Sequence, residues 1–246
     1  MIKLITLITK FVVVALTVLL FASCNYSIDL KSIKGSGHVT TEKRTVNGDF
    51  KSVEVSNAID LVIEQSDKTE IIVEADDNLQ KGITTKVENG VLIVSSKYHN
   101  FLNVKSRKVT VKMPIIDGLQ ASSGSSIKSI GTIRGENISL DASSAAEINL
   151  DIESDFISSE TSSGSSISIH GKALKLETTA SSGSEIDAKD LLANEVISNA
   201  SSGGEITVHP LVSLDAEASS GGDIKYNTAP KSIQKRSSSG GSVSQE

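Results

Sequence analysis

The chain has 246 residues, of which 38% are hydrophobic, 22% charged and only 3% aromatic. This is enough apolar material for a packed core and too little for a set of membrane spans. Its 24 Lys and Arg are outnumbered by 30 Asp and Glu, for a net charge of −6, which argues against the broad positive footprint of a nucleic-acid binder, so no DNA or RNA partner is expected. A single cysteine excludes an internal disulfide framework and a Cys-based zinc site, and four scattered histidines offer little to other transition metals, so no cofactor is expected.

Residues 1–23 read as a signal segment. Lys3 and Lys10 precede a charge-free run over residues 11–22, short of the ~20 residues that a membrane-crossing helix needs and suited to a secretory hydrophobic region. The run ends Leu20-Phe21-Ala22-Ser23-Cys24, small residues before a lone cysteine, which resembles the lipobox of bacterial lipoproteins. Phe21 stands where that pattern usually has Leu. On this reading Cys24 becomes the lipidated first residue and binds the membrane, and residues 24–37 form a tether. An ordinary cleaved signal and an uncleaved signal anchor are the alternatives, and all three place the rest of the chain outside the cytoplasm. Loss of residues 1–23 removes two lysines and no acid, so the remainder carries 22 cations against 30 acids, or −8.

Residues 38–116 read as strand after strand, over 52–55, 59–64, 70–74, 90–95 and 108–113. Glu88-Asn89-Gly90-Val91 fits a two-residue hairpin turn, because Asn-Gly suits two positive-φ positions. The one expected helical turn is Asp76-Asp77-Asn78-Leu79-Gln80. The stretch 98–107 holds Tyr98 and Phe101, two of the few aromatics, and is the candidate loop for contact with a partner.

From residue 117 to 246 the sequence repeats. Ser122-Ser123-Gly124, Ser143-Ser144-Ala145, Ser162-Ser163-Gly164, Ser181-Ser182-Gly183, Ser201-Ser202-Gly203, Ser219-Ser220-Gly221 and Ser238-Ser239-Gly240 are separated by 21, 19, 19, 20, 18 and 19 residues. Three residues beyond each triplet stands Ile127, Ile148, Ile167, Ile186, Ile206, Ile224 or Val243, an inward column. Upstream, Ile138, Ile157, Leu176, Val196, Leu214 and Ile233 form a second one. A unit of about 19 residues with two short strands cannot bury its apolar side chains alone, whereas copies stacked ~4.8 Å apart build a continuous core. The expected architecture is all-β, a right-handed parallel β-solenoid of about seven coils with apolar inward columns, preceded by an irregular β-strand region. The Ser-Ser-Gly triplets read as corners. As nucleophiles they would need a neighbouring base, and no histidine recurs with them.

Phe50-Lys51-Ser52-Val53-Glu54-Val55, Val91-Leu92-Ile93-Val94, Val109-Thr110-Val111-Lys112-Met113-Pro114 and the repeats beginning Leu119-Gln120-Ala121-Ser122-Ser123-Gly124 resemble a family of bacterial envelope proteins, the auto-transporter adhesin heads or GIN domains. The resemblance covers residues 50–240. It implies a β-helical extracytoplasmic domain, often on lipoproteins of Bacteroidetes, with adhesion as the function and no catalytic or ligand-binding residues to carry over. The expected role is therefore a non-catalytic, adhesin-like protein of the cell envelope, an outer-membrane lipoprotein with an envelope or host protein or glycan as partner. The membrane face stays open, since Asn25-Tyr26-Ser27-Ile28-Asp29 carries no dense acidic run like a surface-export signal.

Two other readings compete. A structural module could self-associate end to end through unpaired strand edges, and a β-helical enzyme acting on polysaccharide would need clustered carboxylates. Glu147, Glu185, Glu205 and Asp223 follow the corners at a constant offset, and stacking would align the last three as an acidic ladder, a speculative site for a hard cation such as calcium. The competing reading is a solvated stripe.

Overall fold

Period-two alternation with β-branched residues builds strands throughout, and the computed structural model bears this out over the residues it describes, Lys10 and 32–246. Cys24 and nearly all of the segment read as a signal lie outside them. From Ser32 to Glu246 the chain is one unit.

Its strands are β1 (Ser32–Lys34), β2 (Val39–Arg44), β3 (Ser52–Val55), β4 (Asp60–Gln65), β5 (Glu70–Asp76), β6 (Ile83–Glu88), β7 (Val91–Ser96), β8 (Asn100–Leu102), β9 (Arg107–Met113) and β10 (Gly118–Ala121). Five long strands follow, β11 (Ser126–Ala142), β12 (Glu147–Thr161), β13 (Ser166–Ala180), β14 (Glu185–Ala200) and β15 (Glu205–Ala218). The chain ends in β16 (Asp223–Tyr226), β17 (Ser232–Ser237) and β18 (Ser242–Gln245). Each long strand is one whole coil between serine corners. It meets the next coil in parallel register over three runs, exemplified by Ser126↔Glu147 to Lys128↔Asn149, Thr132↔Asp151 to Gly135↔Ser154, and Asn137↔Phe156 to Ala142↔Thr161. We call these walls A, B and C.

The ladder does not stop at residue 117. On wall C, β10 pairs in parallel with both β11 and β3, and β3 with β7. On wall A, β4 pairs in parallel with β11 and β9. The irregular β-strand region expected before the repeats thus joins the same ladder through two partial layers, β7 with β9 and β3 with β4, and is closed off by antiparallel strands, β6 on β7 through the Asn89-Gly90 hairpin and β2 on β5 on β9. Asn89 and Gly90 have φ of 51° and 78°, as a type I′ turn requires. Ser32–Lys34, within the stretch read as a tether, is a strand paired with β8. The expected helical turn at 76–80 is instead a run of tight turns, with Leu79 N–H donating to Asp76 O and Gly82 N–H to Leu79 O. Fully buried Leu79 anchors it to the core.

Both predicted aliphatic columns face inward and are buried, apart from Val243 and Ile233 in the last turns. Between them runs a column that is not apolar, Leu140, Ser159, Thr178, Ser198 and Ala216 in successive register, which corrects the expectation of purely apolar interior columns. Its hydroxyls are buried, and Thr178 Oγ1 donates to Ser198 Oγ at 2.8 Å. The unequal repeat spacings have a physical cause. Surplus residues leave the ladder as bulges, between Lys128 and Thr132 in β11 and between Asp187 and Asp190 in β14, so that the columns stay in register.

Each serine corner is a tight turn with two consecutive positive-φ residues, for example Ser123 (53°) and Gly124 (67°), closed by Ser125 N–H donating to Ser122 O at 3.2 Å. The turns are stitched between coils as well, with Gly124 N–H donating to Ser144 O and Ala145 N–H to Ser163 O. The hydroxyl that serves the corner internally belongs to the residue after the glycine. Buried Ser125 Oγ accepts from Ser122 N–H and donates to Ser122 O, and Ser165 and Ser184 repeat the arrangement. The second serine of each pair lies exposed.

Ala145, at φ 61°, occupies a left-handed position that glycine holds in the other six corners. Ala145→Gly should therefore raise stability, and Gly164→Ala, where a methyl group would meet no neighbour, should lower it, each by about 1 kcal/mol. Denaturant midpoints check both signs; no change in either variant would contradict the left-handed corner.

Candidate functional site

The three-wall coil has one edge that the ladder leaves free. Where wall B meets wall C, one residue per coil drops out of register, namely Glu136, Asp155, Leu174 and Asn194, with Leu211 and Val212 both dropping out in β15. Side chains here face neither core nor pleat. Leu174 is 55% exposed, and Leu192, Leu211 and Val212 about 40%. Leu174, Leu211 and Val212 of the edge and Leu192 of the adjoining wall B form an aliphatic ridge.

A groove follows this edge. Its middle section, about 600 Å³, is floored by Pro114, Ile115, Ile116, Ile138 and Phe156 and rimmed by Lys51, Asp117, Arg134 and Glu136. Arg134 and Gly135 carry it into a section of about 440 Å³ along Leu174, Leu192 and Leu211, with Glu153, Asp155 and Lys172 on its rim. Lys51, Pro114 and Ile115 carry it the other way into a section of about 540 Å³ lined by Val46, Phe50 and Ile71. The groove thus spans the join between the antiparallel cap and the repeats.

Its walls are fixed by specific bonds. Gln65, at the end of β4, donates through Nε2 to Arg134 O and Pro114 O and accepts Arg134 N–H at Oε1. The Arg134 guanidinium turns to Glu153 at 3.2 Å, Lys51 lies 3.8 Å from Asp117, and Lys175 Nζ stands 5.4 Å above the Phe156 ring. Most rim charges are therefore compensated, and the distinguishing property of the groove is its apolar floor. None of its residues stood out in the sequence as part of a binding site. The only available signal was the run of exposed-type aliphatics, Leu174, Leu192, Leu211 and Val212, outside every inward column.

The sequence-predicted candidates fall elsewhere. Glu185, Glu205 and Asp223 are in direct register on wall A, with Ser166 between Glu147 and Glu185. Lys225 inserts its ammonium between Glu205 and Asp223, and the Glu205 hydrogen bond raises its pKa. Among the described residues no group of three or more His, Cys, Asp or Glu converges on a metal position. His170 lies 3.9 Å from Asp151, and His209 Nδ1 lies 3.1 Å from Lys189 O.

Tyr98 packs over Gly82, where even a methyl group would collide with its ring. Phe101 packs against the core beneath the Arg107 guanidinium, 5.1 Å from its ring centre. The loop that carries both is pinned by Asp76, which is fully buried and accepts Lys105 N–H (2.9 Å), Ser106 N–H (3.0 Å) and Gly37 N–H (2.8 Å).

This geometry places the chain among β-solenoid proteins, and comparison with known proteins agrees. Residues 49–230 match the family described as "putative auto-transporter adhesin, head GIN domain", and the chain belongs to it. Three solved structures share the fold at 20–22% identity. A putative adhesin from Bacteroides fragilis has a TM-score of 0.80 over 87% of this chain and 100% of that one. A putative lipid binding protein from Parabacteroides distasonis scores 0.72 over 88% and 100%, and a putative adhesin from Parabacteroides merdae 0.68 over 88% and 99%. No curated protein matches the chain.

Burial, the largest single influence on Asp76, pushes its carboxyl up, but the Gly37, Ser106 and Lys105 N–H groups and the Lys105 charge together outweigh it and hold the carboxyl below its ordinary value. Its ionised form therefore stabilises the fold at neutral pH, and that contribution is lost as pH falls below the unfolded carboxyl's range and through the lower folded value. Asp76→Asn should cost about 2 kcal/mol at pH 7, with a smaller difference from the parent at pH 3. Denaturant titrations at the two pH values measure this, and an equal difference at both would contradict it.

Proposed function

We propose that the chain is a non-catalytic, adhesin-like binding protein of the bacterial cell envelope, held to the outer membrane by lipid on Cys24, and that it captures an elongated ligand with an apolar segment in the groove along the B–C edge. The observation that carries this reading is the succession of three adjoining depressions between Phe50 and Leu211, which share lining residues and each hold aliphatic side chains from separate coils. A packed solenoid gains nothing from leaving four large aliphatics in water, and an apolar surface of that extent is characteristic of contact sites. Family membership supports the adhesin role, and the relative named for lipid binding supports an acyl chain as a first probe.

Leu174→Glu combined with Leu211→Glu alters only exposed positions, so the fold should persist while affinity for a fluorescent sixteen-carbon fatty acid falls at least about tenfold. Unchanged affinity would remove the groove from the proposal. Location is tested by protease treatment of intact cells, with lysed cells and a Cys24→Ala strain alongside. Cleavage on intact cells that is lost in the Cys24→Ala strain is expected; protection until lysis would exclude direct adhesion.

A further inference from the structure

The two ends of a solenoid are its natural points of uncontrolled growth, because the last coil presents a full row of unpaired backbone groups over an open core. At the first end the antiparallel strands β2 and β6 and the buried turn at Leu79 replace the coil pattern, so no further coil can stack in register. Among the described residues the last coils carry no such element: on wall C, β17 pairs with β15 alone and every one of its residues is exposed, and on wall A, β18 pairs with β16 alone.

We propose that Lys235 and Tyr226 form a charged stopper that prevents a second copy of this chain from docking on the open end. Register places Lys235 directly above Ala216, at the end of the interior column that runs back through Ser198, Thr178 and Ser159, so a cation stands where the pattern calls for a small core residue. Tyr226 likewise takes the inward position above Val208, is 4% exposed, and roofs the core with its ring. The Lys235 ammonium lies over that ring, 4.5 Å from its centre, and donates to the Tyr226 hydroxyl. This contact holds the lysine across the end of the core. Beside it, Arg236 is tied to Asp215 and Glu217 of the coil below and stays on the outer face. A second copy pairing on β17 would have to bury the Lys235 charge with no acidic partner in the interior column, and an unpaired buried charge opposes the ladder bonds gained. Because the other end is capped by strands of a different pattern, the end-to-end association that this cation opposes is tail to tail, between two copies of the same edge.

The test compares the full chain with Lys235→Ser and Lys235→Ile, all purified in the same mild detergent, by sedimentation velocity over a range of concentrations. Lys235→Ser restores a residue type of its own column and Lys235→Ile adds an apolar surface. The parent and Lys235→Arg should sediment as one copy. Both neutral variants should self-associate at least about tenfold more tightly, with cross-links confined to β17 and β18. The proposal is overturned if the neutral variants, with unchanged circular dichroism, keep the parent's size, or if the parent itself pairs through β17.

Discussion

Everything in this molecule depends on one constraint, that each coil must lie in parallel register on the next. A coil of 14 to 17 strand residues has no core of its own; its isoleucines become buried only when the coils above and below supply the rest of the column. The serine corners meet that demand locally. Two successive left-handed residues turn the chain from one wall to the next, and the corner amides bond to the neighbouring coil, so the turn that ends one strand also sets the height of the next.

The same constraint explains where function can sit. Inward positions are committed to the columns and several outward positions to cross-coil pairs such as Arg134 with Glu153. Residues that leave the ladder are free of both. Bulges absorb the surplus length of unequal repeats, and the B–C edge, out of register in every coil from β11 to β15, carries exposed Leu174, Leu211 and Val212 and the groove. Because β3 and β4 belong to the same ladder as the repeats, the cap and the solenoid present this groove as one surface, with Gln65 bridging them.

Much of the fold was legible in the sequence, since periodicity is a local property. The isoleucine columns, the corner triplets and the Asn89-Gly90 hairpin could be read from spacing alone. What escaped depends on neighbours one coil away. The acidic column was found by its offset, but the insertion of Lys225 between Glu205 and Asp223 becomes visible only once the coils are stacked. Ser159, Thr178 and Ser198 look like outward residues until register puts them in line with Leu140. Lys235 reads as an ordinary surface cation for the same reason. The turn at 76–80 looked helical because its acids suit a helix start, whereas Asp76 spends its carboxylate on three distant amides. The groove left no motif, because exposure of a leucine is a statement about geometry.

The central claim is that a single ladder runs from β3 and β4 through β15, making the groove one rigid surface. Hydrogen exchange followed by mass spectrometry tests it most directly. The account predicts that β3 and β4 share the slow exchange of β11 to β15, with faster exchange confined to β17 and β18. A cap that opened as a separate, faster unit, with the boundary near residue 117, would contradict it.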